Sequence, residues 1–163
     1  MISIIQRFSA LILTIVVLCV ATIIFAISLA LRSNIHDGLV VETRDVNDSC
    51  HIYRNAFGIP HIICSTESDV YFSLGFAHAQ DRLWQMDLMR RIARGKTARI
   101  FGEKTVAADK FFRVLGISAI ADRLVTTISR QSRDELEAYS RGVNCFIETH
   151  LNAMPFEFGA STA

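Results

Sequence analysis

The sequence predicts an α+β chain in which an N-terminal membrane helix precedes a β-hairpin and several helices. Three observations predict it. The run from Phe8 to Leu31 carries no charged residue. Two short β-rich runs, Cys50 to Arg54 and Ile59 to Cys64, flank Asn55-Ala56-Phe57-Gly58. From Ala77 to Ala93 the chain is dense in good helix formers and contains no proline, and a second apolar pattern at helical spacing runs from Leu136 to Leu151.

Taken as a helix rising about 1.5 Å per residue, Phe8 to Leu31 extends roughly 36 Å, enough to cross a hydrocarbon core of about 30 Å. Residues 1–32 are therefore expected to be a membrane anchor or an uncleaved signal, with residues 8–31 inside the bilayer. A cleaved export signal is the competing reading, because Ser28-Leu29-Ala30 is a small-x-small sequence. The apolar run, however, exceeds the roughly 7–15 residues of a signal core. Arg7 flanks one end and Arg32 and Arg44 the other, so charge alone barely orients the helix. Residues 33–48 are polar, with a turn signal at His36-Asp37-Gly38, and read as a spacer.

Residues 49–163 read as a partial domain, with a hairpin over about 50–64 and helices over about 67–151. In the hairpin Gly58 supplies a positive φ, and Pro60 is tolerated near a strand start or edge. Cys50 and Cys64 then fall opposite or nearly opposite each other. A disulfide fits there, although small buried thiols are the preferred reading. Thr66-Glu67-Ser68-Asp69 supplies capping residues ahead of a helical run through Val70 and Phe72.

The central helix follows, with Gly75 and Gly95 at its two ends. Leu83, Met86 and Arg90 fall on one side of it and Trp84, Leu88, Met89 and Ile92 on a neighbouring stripe, so its apolar surface is wide and must be covered. Gln80, Asp81, Arg82, Gln85 and Asp87 interleave with that surface, and at packing boundaries each needs a hydrogen-bond partner. Arg90, Arg91 and Arg94 crowd the last turn, where cations oppose the partial negative charge of a helix end. Val106 to Leu115 predicts a further short helix ended by Gly116, with Phe111, Phe112 and Leu115 as core candidates. Ile117 to Ile128 is amphipathic. Ser132 and Glu135 form a capping-box pattern before Leu136, Tyr139, Val143, Phe146, Ile147 and Leu151, which read as the core stripe of the last helix.

Seventeen basic and sixteen acidic residues give a net charge of +1, so no overall field favours nucleic acid. The five histidines, His36, His51, His61, His78 and His150, lack the close spacing of a zinc site. No Gly-x-Ser-x-Gly, phosphate-loop or dinucleotide pattern is present. Asp81 and Arg82 are adjacent and point about 100° apart on a helix, which suits separate structural bonds better than a shared catalytic role. The chain offers no self-contained active site.

Three strings carry a resemblance. They are Phe57-Gly58-Ile59-Pro60-His61-Ile62, the run Gly75-Phe76-Ala77-His78-Ala79-Gln80-Asp81-Arg82-Leu83-Trp84-Gln85-Met86 with Arg90-Arg91 and Gly95, and Ala138-Tyr139-Ser140-Arg141-Gly142-Val143-Asn144. With Phe101-Gly102, Asp109 and Arg113 they resemble the amino-terminal part of the penicillin acylase family, over roughly Ile52 to Phe158. The resemblance implies part of an N-terminal-nucleophile hydrolase fold, a four-layer αββα sandwich, acting on carbon–nitrogen bonds in linear amides. It implies a precursor that cuts itself in two, whose second chain begins with the nucleophilic Ser. The α-amino group of that Ser, with a pKa of about 8, serves as base.

The catalytic second chain is thus the implied partner, and calcium belongs to the complete enzyme and not to this chain. No catalytic, substrate-binding or metal residue carries over. The residues that do carry over are the scaffold string Gly58, Pro60, His61, Gln80, Asp81, Arg82, Gln85 and Met86. The resemblance also implies that the domain lies on the exported side of a membrane crossed once.

Two residues depart from the family pattern. Asn55 stands where Asp is usual, and Arg99 stands where Glu is usual, a reversal that would unpair a buried partner if the site were interior. With the end of the sequence at Ala163, these departures lead to the expectation of a truncated product, inactive by itself. The alternative is a membrane-anchored helical binding protein or remnant without catalysis.

Overall fold

The computed structural model describes residues 2–30, 43 and 45–160. The chain divides into two compact units, Met1–Ser33 and Asn34–Ala163. Most of the expected spacer, Leu31 at the end of the expected span, and the last three residues lie outside the described residues.

The first unit is the helix α1, Ile2–Ala30. Its side chains are described over 11–27, and all of them are exposed. Among the described residues no helix is long and apolar enough to cross a membrane, so the expected span over 8–31 is not supported there; its last residue, Leu31, lies outside them.

The second unit is mostly helical, with one two-stranded antiparallel hairpin made of β1, His51–Arg54, and β2, Pro60–Ile63. The register pairs His51 with Ile63 and Arg54 with Pro60. Asn55 shapes the turn, its side-chain oxygen accepting the amides of Phe57 at 2.9 Å and Ile59 at 3.1 Å, while Gly58 adopts φ 75°. One step beyond the paired residues Cys50 and Cys64 are joined in a disulfide with their Cα atoms 4.5 Å apart, in place of the expected free thiols. An antiparallel register that sets the two residues directly opposite brings their Cβ atoms within bonding reach.

Helix α2 spans Glu67–Ala93, capped by the Thr66 hydroxyl, which accepts the Asp69 amide at 3.2 Å. It begins well before the expected Ala77, because Gly75 lies in its interior and does not end it. The helix is interrupted at Arg82, whose φ and ψ of −145° and 26° are not helical. A short helix α3, Ala98–Phe101, a 3-10 turn, α4, Val106–Leu115, and α5, Ile117–Leu124, follow, with Gly116 left-handed between the last two. Helix α6 spans Arg130–Thr149, and a short α7 covers Phe156–Ala160. The cap of α6 is Ser129, which accepts the Ser132 amide at 3.0 Å, so the expected box from Ser132 lies one turn inside the helix.

The core lies between α2 and α6, where Phe72, Phe76, Ala79 and Leu83 meet Cys145 and Phe146. Phe76 and Phe146 meet edge to face at 5.4 Å, and His150 stacks on Phe146 at 4.2 Å. Two glycines set how closely the helices approach. A Cβ at Gly75 would collide with the carbonyl oxygen of Tyr139, and one at Gly142 with that of Phe72. Leu136 and Leu151, expected in the core stripe, are exposed, and the small residues Ala138, Gly142 and Cys145 are buried in that face. The reason is steric, since backbones in near contact leave room only for small side chains at the crossing.

Candidate functional site

The scaffold residues converge on Arg54. At the end of β1 its guanidinium donates to the Gly58 carbonyl at 2.9 Å and to Gln80 Oε1 at 3.0 Å. It also reaches both carboxylate oxygens of Asp81, at 2.7 and 3.1 Å. Five planar donors let one Arg close a turn and bind a helix at once, which a Lys could not do. The clamp therefore ties the hairpin tip to α2 just before the helix breaks at Arg82. Gly58 enters through its carbonyl, Pro60 sits opposite Arg54 across the ladder, and His61 stacks on Tyr53 at 5.0 Å on the exposed side of the hairpin. Arg82 and Gln85 are exposed, and Met86 is half-buried. Gln80 and Asp81 are thus brought together with Gly58, while Arg82, Gln85 and Met86 are not.

Two buried carboxylates brace the same framework. Asp69, 1% exposed, accepts the backbone and side-chain nitrogens of Asn47 at 3.0 and 3.1 Å. Burial alone would raise its pKa, but the bonds from Asn47, Thr66 and the Asp48 amide outweigh it and hold the carboxyl below its ordinary value. Asp109, 4% exposed, accepts the Thr97 amide and hydroxyl at 2.9 and 2.5 Å and the Ala98 amide at 2.8 Å. Its pKa is likewise lowered, with burial opposing and the Thr97 and Ala98 bonds prevailing. Arg113, one turn further along α4, donates to the Gly95 carbonyl at 2.9 Å.

A groove of about 530 Å³ runs between α2 and α6, with Leu83, Met86, Val143 and Ile147 in it and Asp87, Arg90 and Arg91 at its rim. Asp87 binds Arg90 at 2.6 Å and Arg91 at 2.5 Å. Burial would raise the pKa of Asp87, but the two arginines overcome that and lower it. Ser140 also lines the groove, but its hydroxyl donates to the Leu136 carbonyl at 2.8 Å. No activated nucleophile is built there. Among the described residues no three or more His, Cys, Asp or Glu come together to hold a metal ion.

The departure at Asn55 is accommodated, because an amide oxygen accepts the two turn amides as a carboxylate would. Arg99 is exposed, so the charge reversal leaves no buried partner unpaired, contrary to the interior case considered from sequence. Sequence reasoning missed Arg54, the pairing of Asp69 with Asn47 and the capping role of Asp109. The available signal was a pattern of Arg before a turn and acids at helix starts, with nothing local to pair them.

Gly58, Gln80 and Asp81, three of the scaffold residues, are thus engaged through Arg54 in clamping a hairpin to a broken helix. The sequence model of the penicillin amidase family matches residues 49–163, and the chain belongs to that family. It is 42% identical over 108 residues to the penicillin acylase 2 proenzyme of Pseudomonas sp. (strain SE83), covering 66% of this chain and 14% of that protein. It is 34% identical over 110 residues to the acyl-homoserine lactone acylase QuiP of Pseudomonas aeruginosa, covering 68% and 13%. Among solved structures it is similar to the thermostable penicillin G acylase from Alcaligenes faecalis, with a TM-score of 0.62 and 30% identity, over 68% of this chain and 60% of that one. The chain spans about one seventh of the length of these curated relatives.

Proposed function

We propose that this chain is the amino-terminal framework of a penicillin acylase-like hydrolase of linear amides, with the nucleophile supplied by a separate, catalytic part of the same precursor. The single observation that carries the reading is the Arg54 clamp, which spends Gly58, Gln80 and Asp81 of the shared strings on architecture. The αββα sandwich would be completed by that catalytic part, to which the hairpin contributes its two strands. Penicillins and acyl-homoserine lactones, named for the relatives, set the substrate class as an acyl group on a small amine.

On this reading the domain lies on the exported side of the membrane. The Cys50–Cys64 disulfide supports this, since such bonds persist in oxidising compartments. The anchor reading of α1 rests on the uncharged apolar run from Phe8 to Leu31 in the sequence. Fractionation followed by intact-mass measurement tests it: the full 18.2 kDa mass in the membrane fraction is expected, and a shorter soluble species would refute it.

Incubated with a chromogenic acyl amide, the chain alone should release no product. Exchanged for the matched stretch of the Pseudomonas sp. SE83 proenzyme, residues 49–158 should restore cleavage into two chains and amide hydrolysis. Sustained turnover by the chain alone, or a chimera that folds yet never matures, would refute the reading.

A further inference from the structure

The groove between α2 and α6 joins an apolar floor to an unbalanced charged rim. Its α2 wall is drawn only from the stretch beyond the break at Arg82. Leu83 belongs to the core, Val143, Ile147, Met154 and Phe158 pack against that core, and Met86 completes the floor. Phe158 meets Trp84 edge to face at 5.2 Å, which holds α7 against α2. The two methionines are unbranched and adapt to the shape of what they touch.

Three charged residues line the groove, Asp87, Arg90 and Arg91. Asp87, its side chain 10% exposed, receives one bond from each arginine, at 2.6 and 2.5 Å, so the single acid is matched twice over and the rim keeps one net positive charge. Each guanidinium has five donors and gives one of them to Asp87. The side chain of Arg90 is 63% exposed, so a planar fork suited to a carboxylate stands at the mouth. The volume, about 530 Å³, lies in the range of small-molecule sites.

One net positive charge beside an apolar floor selects a monoanion with an apolar tail, whereas a phosphate monoester, at about −1.5 to −2, would overmatch it. We propose that this groove is a binding site for a linear aliphatic monocarboxylate, with its head on Arg90 and its tail among Met86, Val143, Ile147 and Met154. The site is built wholly from this chain's own residues, so it stands independently of the framework reading.

The probe is octanoate, titrated below its micelle concentration into the 163-residue chain held in phosphatidylcholine nanodiscs and labelled with carbon-13 at its methionine methyls. Met86 and Met154 line the groove, whereas Met89, 61% exposed on the same helix as Met86, does not. The resonances of Met86 and Met154 should shift saturably while that of Met89 stays in place. Decanoate should bind more tightly than octanoate by about fourfold per added methylene. Arg90→Gln should weaken octanoate at least about tenfold, and Arg94→Gln, outside the groove, less than about twofold. Circular dichroism checks that both variants fold. Should Arg90→Gln fail to fold, 1-octanol on the unmodified chain replaces it: the alcohol has the same tail without the charge and should bind at least about tenfold more weakly than octanoate.

No shift at Met86 and Met154, or an equal shift at Met89, would overturn the site. So would octanol binding as well as octanoate, which leaves only an unselective apolar cleft, or octyl phosphate binding more tightly than octanoate, which assigns the rim to phosphate. A shift of the same two methyls on concentrating the chain without acid would give the groove to a second copy and overturn the site equally.

Discussion

Arg54 joins the end of β1 to α2 through Gln80 and Asp81. Its side chain is 11% exposed and that of Asp81 25%, so the pair is only partly screened by water. Hydrogen bonds to charged groups contribute roughly 1.5–3 kcal/mol each when lost from such sites, so Arg54→Ala is expected to lower stability by about 3 kcal/mol in a denaturant titration. Arg54→Lys should recover less than half of that, because an ammonium cannot fork onto Asp81 and Gln80 together. Full recovery by Lys would show that charge and not geometry makes the clamp.

Asp69 and Asp109 set the acid limit. Both carboxyls have folded pKa values below the ordinary value of about 3.9, so the folded state prefers them ionised. Their contribution is fully present above that pH and is lost as the pH falls from there through the lowered folded values. The thermal midpoint should therefore drop steeply below about pH 4, and Asp69→Asn and Asp109→Asn should each flatten the slope while lowering the plateau. An unchanged slope in both variants would show that other groups govern acid unfolding. These residues were poorly legible in the sequence, because an acid at a helix start looks the same whether it faces water or caps a distant turn. Gly58 was legible, since a glycine closing a short hairpin turn has one conformational use.

Among the elements, the hairpin was readable to within a residue and α4 to both its ends, whereas the bounds of α2 and α6 were not. Alternation and turn chemistry are local and survive without tertiary context. The break at Arg82 is invisible, because no proline or glycine lies between Phe76 and Ala93 to mark it. The core face of α6 was read in part, since Val143, Phe146 and Ile147 do pack in or against the core. A periodicity of large apolar residues pointed to Leu136 and Leu151, whereas the crossing with α2 selects the small ones.

The crossing gives a direct test. Gly142→Ala should cost about 1–3 kcal/mol or more, as overpacking does, and Gly75→Ala a similar amount. Gly159→Ala, with open space around it, should stay within about 0.5 kcal/mol. Equal effects at Gly142 and Gly159 would contradict the close approach. The Cys50–Cys64 bridge spans 14 residues of sequence, and closing a loop of that size stabilises by about 3 kcal/mol. Cys50→Ser with Cys64→Ser should show that loss, and faster amide exchange confined first to β1 and β2. An isolated hairpin is marginal in water, so the bridge and the Arg54 clamp together keep it formed.

At the scale of the whole chain, membership of the penicillin amidase family was legible because the strings around Gly58 and Asp81 are dense and ordered. The exposure of the apolar face of α4 was not, since a stripe of Phe, Val and Leu reads as core from sequence alone. Phe111 and Leu115 were expected inside and stand outside, together with Phe57 at 88% exposure on the hairpin tip. Concentrated alone, the chain is expected to self-associate and to bind a hydrophobic dye, measured by light scattering and fluorescence.

The bare-backbone meeting of α2 and α6 limits how this lineage can change. A descendant that replaces either Gly75 or Gly142 must first part the two helices, and parting them unseats Phe146 and hollows the space beneath it. Such a sequence could persist only if a bulkier neighbour grew into the hollow in the same interval, so drift at these two sites should be found in company and never singly.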